Sequence, residues 1–155
     1  DTNSVCPKIE NHALMPYIQE NRVSSPEEKF TAFLEENTDY IDWWYKNGDS
    51  GKQHYAISYT NVNGDKALFY VDFIIRMKNG QVFLFDTKSE DSDKNAPCKH
   101  NALIDYIHSE ENADKHLKGG VIIQSGENWK YCPLKIENTT DISGWDCFYP
   151  DEYKV

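Results

Sequence analysis

A mixed α/β domain with a central sheet, flanked by helices, is the fold class that these 155 residues predict. Three observations carry it. Ser25-Pro26-Glu27-Glu28 reads as a capped helix start. Two β-rich runs flank Lys78-Asn79-Gly80. A second helical stretch then leads through Gly119-Gly120 into the apolar run that starts at Val121.

The elements follow in order. Residues 1–23 are weakly patterned, hold Pro7 and Pro16, and read as an irregular lead-in or linker. Residues 24–155 read as one domain, with a core over about 25–125 and a C-terminal extension over 126–155. Ser25 is a good N-cap, Pro26 suits the first helical position, and Glu28 completes an S-x-x-E capping box. Phe30, Phe33 and Leu34 then share a helical face, and the helix is expected to fade near Asn37–Asp39. Tyr40–Tyr45 reads as a strand or extended connector. His54–Tyr59 is a candidate strand, and Asn63-Gly64 marks a turn. Ala67–Met77 is read as one long β-rich run, paired with Gln81–Lys88 in a hairpin. The polar stretch 89–97 precedes a helix expected over Cys98–Glu111, with Leu103, Tyr106 and Ile107 on its apolar stripe. Strands are expected over Val121–Ser125 and Trp129–Ile136, and Trp145 and Phe148 are expected to dock on the core.

Composition narrows the class. The chain is 39% hydrophobic and 14% aromatic, enough for one core and too much for general disorder. No apolar run approaches the ~18 residues that span a bilayer. The start shows no secretory signal, which implies a cytoplasmic protein, and the first residue is Asp1, which implies a domain cut from a longer chain. Cys6, Cys98, Cys132 and Cys147 form no C-x2-C pair and read as reduced thiols. The net charge of −10 argues against an autonomous nucleic-acid binder. That acidity lies in the flanks: residues 1–42 carry −6 and residues 101–155 carry −5, whereas 43–100 carry +1.

Three charges sit where strands rarely place them. Asp72 lies among Tyr70, Val71, Phe73 and Ile74, and Asp86 and Lys88 follow Phe83-Leu84-Phe85. Buried charges are costly unless paired or metal-bound. Asp86 and Lys88, two apart, share a sheet face. Asp72 joins them only in one register. A two-residue Asn79-Gly80 loop pairs 72 with 87, whereas a three-residue loop with Gly80 left-handed pairs 72 with 86. The three-residue loop is the expectation. Two carboxylates and a lysine then converge, as hydrolysis of a phosphodiester with Mg²⁺ requires.

An Asp near a hydrophobic strand, a turn, and a strand ending in Asp86-Thr87-Lys88 resembles the PD-(D/E)-x-K nuclease superfamily. The wider context resembles the C-terminal endonuclease domain of type III restriction enzyme subunits and related DEAD/DEAH helicases. A helix bearing Glu27 precedes Ile41-Asp42-Trp43-Trp44-Tyr45-Lys46-Asn47, and Lys99 and Ala102 stand on the following helix. The likeness covers about residues 25–125. Val71 replaces the family's Pro, and Ser89 the Gly that often follows its lysine; neither change removes a ligand.

The resemblance implies a restriction-endonuclease-like sheet and a metal-dependent DNA endonuclease. Asp72, Asp86 and Glu27 would hold Mg²⁺ or Mn²⁺, Lys88 would act on the attacking water, and Lys99 would be accessory. It implies double-stranded DNA as partner, an N-terminal helicase or translocase module on the same longer chain, and a modification (methyltransferase) subunit. The alternative is a nuclease fold that has lost activity and serves as a docking module of a helicase. Glu27 could also serve only the helix dipole, Lys99 could snorkel from its helix, and RNA or branched DNA are further substrates the residues allow. His54 and His100 match no metal motif, and Trp43 and Trp44 are expected in the core rather than against bases. No Gly-rich phosphate loop is present.

Overall fold

The computed structural model describes residues 6–8, 17–19, 25–47, 54–89 and 93–155. Two three-residue strands, β1 (Cys6–Lys8) and β2 (Tyr17–Gln19), pair antiparallel within the stretch read as an irregular lead-in. The rest of that lead-in lies outside the described residues.

Helix α1 runs Ser25–Glu36. Its apolar spacing does what was expected: Phe30 and Leu34 are fully buried and Phe33 packs beside them. Strands β3 (Ile41–Lys46), β6 (Phe73–Met77), β7 (Val82–Lys88), β8 (Leu117–Ser125), β9 (Asn128–Tyr131) and β10 (Asp146–Cys147) form a six-stranded sheet in the order β10-β9-β8-β7-β6-β3. Its pairs are antiparallel except β7 with β8, which run parallel across helix α2 (Ala96–Ile107). Strands β4 (Ala56–Thr60) and β5 (Lys66–Tyr70) form a separate two-stranded ribbon. The molecule is therefore α/β, with a mixed sheet between helices. Among the described residues no helix is long and apolar enough to cross a membrane.

The sheet's period of two sorts its side chains onto two faces. Phe73, Ile75, Met77, Phe83 and Phe85 point to the α1 side, where they meet Phe30, Leu34, Trp44, Trp129 and Phe148. Phe148 and Trp129 lie in contact with Phe30, so the C-terminal extension closes this core as expected. Ile74 and Leu84 point to the other side, against Leu103 and Ile107 of α2 and Ile57 and Phe69 of the ribbon. Trp145 packs on a smaller cluster of Val121, Ile123 and Ile142.

The candidate strand His54–Tyr59 runs Ala56–Thr60 instead, and four further expected boundaries shift. The run Ala67–Met77 is two strands in two sheets, not one. Between them the Asn47 N–H donates to the Asp72 carbonyl, 2.8 Å away, which fixes a bend where β5 leaves its ribbon and β6 enters the main sheet. Helix α2 begins at Ala96 and ends at Ile107, rather than spanning Cys98–Glu111. Pro97 lies in its first turn, where a missing N–H costs nothing. Strand β9 stops at Tyr131 and does not reach Ile136. Pro133 can donate no ladder bond, and Asn101 of α2 ties down the Ile136 N–H and carbonyl instead.

Strand β8 begins at Leu117, so Gly119 and Gly120 lie inside it rather than ahead of it. Their φ angles are +146° and +145°, and a Cβ on Gly119 would fall 1.9 Å from the Leu84 carbonyl oxygen. A Cβ on Gly120 would strike the His100 ring. His100 is fully buried, accepts from the Val121 N–H through Nδ1 at 3.0 Å, and lies 2.8 Å from the Leu134 carbonyl through Nε2. Burial holds its pKa below the usual value. It is a neutral structural strut. Gly119→Ala is expected to cost roughly 3 kcal/mol or more, a fall in melting midpoint of roughly 10 °C. Thermal unfolding followed by circular dichroism checks it.

Candidate metal and phosphodiester site

The hairpin between β6 and β7 sets the register of the site. Phe73 faces Phe85, Ile74 faces Leu84, and Ile75 faces Phe83. The ladder continued by one residue sets Asp72 opposite Asp86. The loop is Lys78-Asn79-Gly80: the Met77 N–H donates to the Gln81 carbonyl at 2.8 Å, and Gly80 has φ +95°. The three-residue loop expected from the sequence is the one found.

Asp72 and Asp86 meet at the end of the sheet. Asp86 is 3% exposed, and its Oδ2 is buried without a hydrogen bond. Lys88 Nζ lies 3.4 Å from that oxygen. Asp72 Oδ2 accepts two hydrogen bonds from Thr87, from its N–H and from its Oγ1, both at 2.9 Å. Burial, then the Asp86 carboxylate, then Glu27 push the Asp72 pKa well above the usual carboxylate range; the Thr87 bonds and Lys88 offset only part of this. Burial likewise raises Asp86, against the pull of Lys88 and Lys99 and a hydrogen bond with Asp72. The two carboxyls titrate as a pair, both held above the usual carboxylate range by burial.

Lys88 shows the opposite balance. Burial works against its charge, but Asp86, Asp72 and Asp93 outweigh it and hold its pKa above the ordinary lysine value. It stands here as an ammonium, with Asp93 Oδ2 3.7 Å away on its other side. The same Asp93 oxygen accepts from Lys99 Nζ at 3.0 Å. The half-buried Lys99 therefore reaches the site through Asp93, and its charge is felt at Asp86. Its ammonium also lies 5.8 Å over the Tyr59 ring.

Glu27 is half-buried on the first turn of α1, and its charge is felt at Asp72. Lys46 Nζ, at the end of β3, lies 3.8 Å from Glu27 Oε1. Asp72, Asp86 and Lys88 thus come together, whereas Glu27 and Lys99 stand further out, their charges felt at Asp72 and Asp86. Three contributors were missed. Thr87 was passed over as the spacer of D-x-K, although the register that pairs 72 with 86 places it diagonal to Asp72. Lys46 enters the resemblance only through the Lys46-Asn47 turn that follows the aromatic stretch, yet it is a buried lysine at a strand end. Asp93 left no signal in a uniformly polar segment. Trp44 is fully buried and Trp43 packs on the α2 side, so both serve the core. Cys98, Cys132 and Cys147 are free thiols, as expected; Cys6 lies in β1, where only the backbone is described.

No protein-family model matches the chain, and neither a curated protein nor a solved structure matches it. The chemistry must therefore be read from the side chains. Among the described residues no three His, Cys, Asp or Glu side chains form a ready-made metal cage. Mg²⁺ does not require one, since one or two carboxylates suffice when water and phosphate oxygens fill the remaining positions. The donor set fits such an ion. It is all oxygen, it holds a buried carboxylate oxygen with no hydrogen bond, and it concentrates negative charge that burial penalises.

Proposed function

We propose that this chain is a metal-dependent endonuclease domain of the PD-(D/E)-x-K type, with a restriction-endonuclease-like sheet, that hydrolyses phosphodiester bonds in DNA. The observation that carries the reading is the meeting of Asp72, Asp86 and Lys88 at one end of the β6–β7 hairpin, with Asp86 Oδ2 buried and facing the Lys88 ammonium. The order α1, three antiparallel strands, α2 and a parallel strand supports it.

Asp72 and Asp86 would hold Mg²⁺ or Mn²⁺, with Glu27 a direct or water-mediated third ligand. The ion, when bound, supplies Lewis acidity and a more acidic water. Thr87 keeps the Asp72 carboxylate aimed, through two hydrogen bonds to one oxygen. Lys88, held as an ammonium between Asp86 and Asp93, orients the attacking water or steadies the charge that builds on the phosphate oxygens. Asp93 in turn positions Lys88 and Lys99.

The net charge of −10 implies that most of the grip on DNA comes from elsewhere. A helicase or translocase module on the same longer chain, and a modification subunit, would supply it in a restriction system within the cytoplasm. The test is conversion of supercoiled plasmid to nicked and linear forms in Mg²⁺ or Mn²⁺. Cleavage that stops with EDTA supports the reading. Intact plasmid at millimolar metal, with any helicase partner supplied, would favour the inactive docking module instead.

A further inference from the structure

A cavity opens beside the carboxylates. It encloses about 420 Å³ and shares Lys88 with them. Lys29, from the exposed side of α1, stands on its wall. Gln124 and Ser125, at the end of β8, supply an amide and a hydroxyl. Trp129, buried on the α1 side of the sheet, closes its floor.

Two features single this cleft out. Among the described residues no carboxylate lines it, although the chain holds 26 acids against 16 bases. Two of its lining residues are lysines: Lys88, paired with Asp86 and Asp93, and the exposed Lys29, whose ammonium faces no carboxylate of the lining. Its lining also combines cations and hydrogen-bond donors with an apolar floor, which matches the phosphate and the sugar or base of a nucleotide. Its volume lies at the low end of ligand cavities, which run from roughly 300 to 1,000 Å³. A cleft of that size holds one nucleotide.

We propose that this cleft seats the nucleotide next to the scissile phosphate, with Lys29 and Gln124 binding the neighbouring phosphate of the same strand. The proposal rests on the reading of Asp72, Asp86 and Lys88 as the hydrolytic site. Lys88 bridges the two subsites: its ammonium pairs with Asp86 and its side chain forms part of the cleft wall.

The test uses thymidine 3′,5′-bisphosphate as a minimal nucleotide with two phosphates, inorganic phosphate as a one-phosphate control, and Ca²⁺ in place of the active metal. Titration calorimetry on the whole chain is expected to show the bisphosphate binding about tenfold more weakly, or worse, to the Lys29→Ala/Gln124→Ala variant. Inorganic phosphate, which needs only the carboxylate site, is expected to bind both proteins alike. For a labelled single-stranded decamer, the slope of log K against log salt is expected to fall by about 0.7 for Lys29→Ala. Equal bisphosphate affinity in the two proteins, with Ca²⁺ still raising the melting midpoint of both, would overturn the cleft proposal alone. Absence of any metal-dependent rise in the wild type would overturn the hydrolase reading, and the cleft proposal with it. Both substituted side chains lie outside the core, so the melting midpoint without metal shows that the variant is folded.

Discussion

Asp72→Asn is expected to make the metal-free protein more stable by about 1–2 kcal/mol, roughly 2–8 °C in melting midpoint. The same substitution is expected to abolish stabilisation by Mg²⁺ or Mn²⁺. Asp72 is buried and faces the charges of Asp86 and Glu27, so its ionised form is disfavoured in the fold. Asn is nearly isosteric, and its carbonyl oxygen can accept the two Thr87 bonds that now go to Oδ2. Removing the charge relieves the repulsion without opening a cavity. The sign with pH follows from linkage. A carboxyl whose pKa is raised in the fold binds more protons folded than unfolded. Its contribution is present in full below the ordinary carboxylate range and is lost as pH rises through the folded value. Metal-free wild type should therefore weaken as pH climbs above about 4, and Asp72→Asn should flatten that slope. Chemical denaturation at several pH values, with and without metal, checks both parts. A variant less stable than wild type at neutral pH would show that Asp72 belongs to a structural ion pair.

Lys88→Ala is expected to lower the rate of plasmid cleavage by roughly 10²–10³-fold, the usual loss when one group aimed at transition-state charge is removed. Binding of the ion should survive, because Lys88 is not a ligand. Its absence removes the one cation within 4 Å of Asp86 Oδ2 among the described residues, so metal affinity should hold or rise. Lys88→Arg keeps the charge but changes its reach and should recover only part of the rate. The pair of measurements, turnover and metal-induced shift in melting midpoint, separates a catalytic cation from a structural one. Loss of both in Lys88→Ala would assign Lys88 to the folding of the site.

Much of this was legible because the informative residues are local. The turn Lys78-Asn79-Gly80 fixes the register, since only a left-handed residue closes a three-residue loop of this kind. Gly80 takes that conformation, and the pairing of 72 with 86 follows. The helix start at Ser25 and the apolar spacing of Phe30 and Leu34 read equally well. What failed to read depends on partners distant in the chain. In Ala67–Met77 the bend falls at Asp72, a charge that reads as a site residue rather than as the point where the partner strand changes from β4 to β3 and β7. Gly119 and Gly120 read as a lead-in because their role, a close approach to Leu84 and His100, needs the neighbouring strand and helix in place. Asp93 lies among polar residues, and only folding brings it between Lys88 and Lys99.

The central claim is that Asp72 and Asp86 form a metal site, and thermal unfolding of wild type and Asp86→Ala over a titration of Mn²⁺ tests it most directly. The account predicts a rise for the wild type, about 2.7 kcal/mol at one hundred times the dissociation constant, and no rise for Asp86→Ala. Identical midpoints for wild type with and without millimolar Mn²⁺, or an equal rise in both proteins, would contradict it.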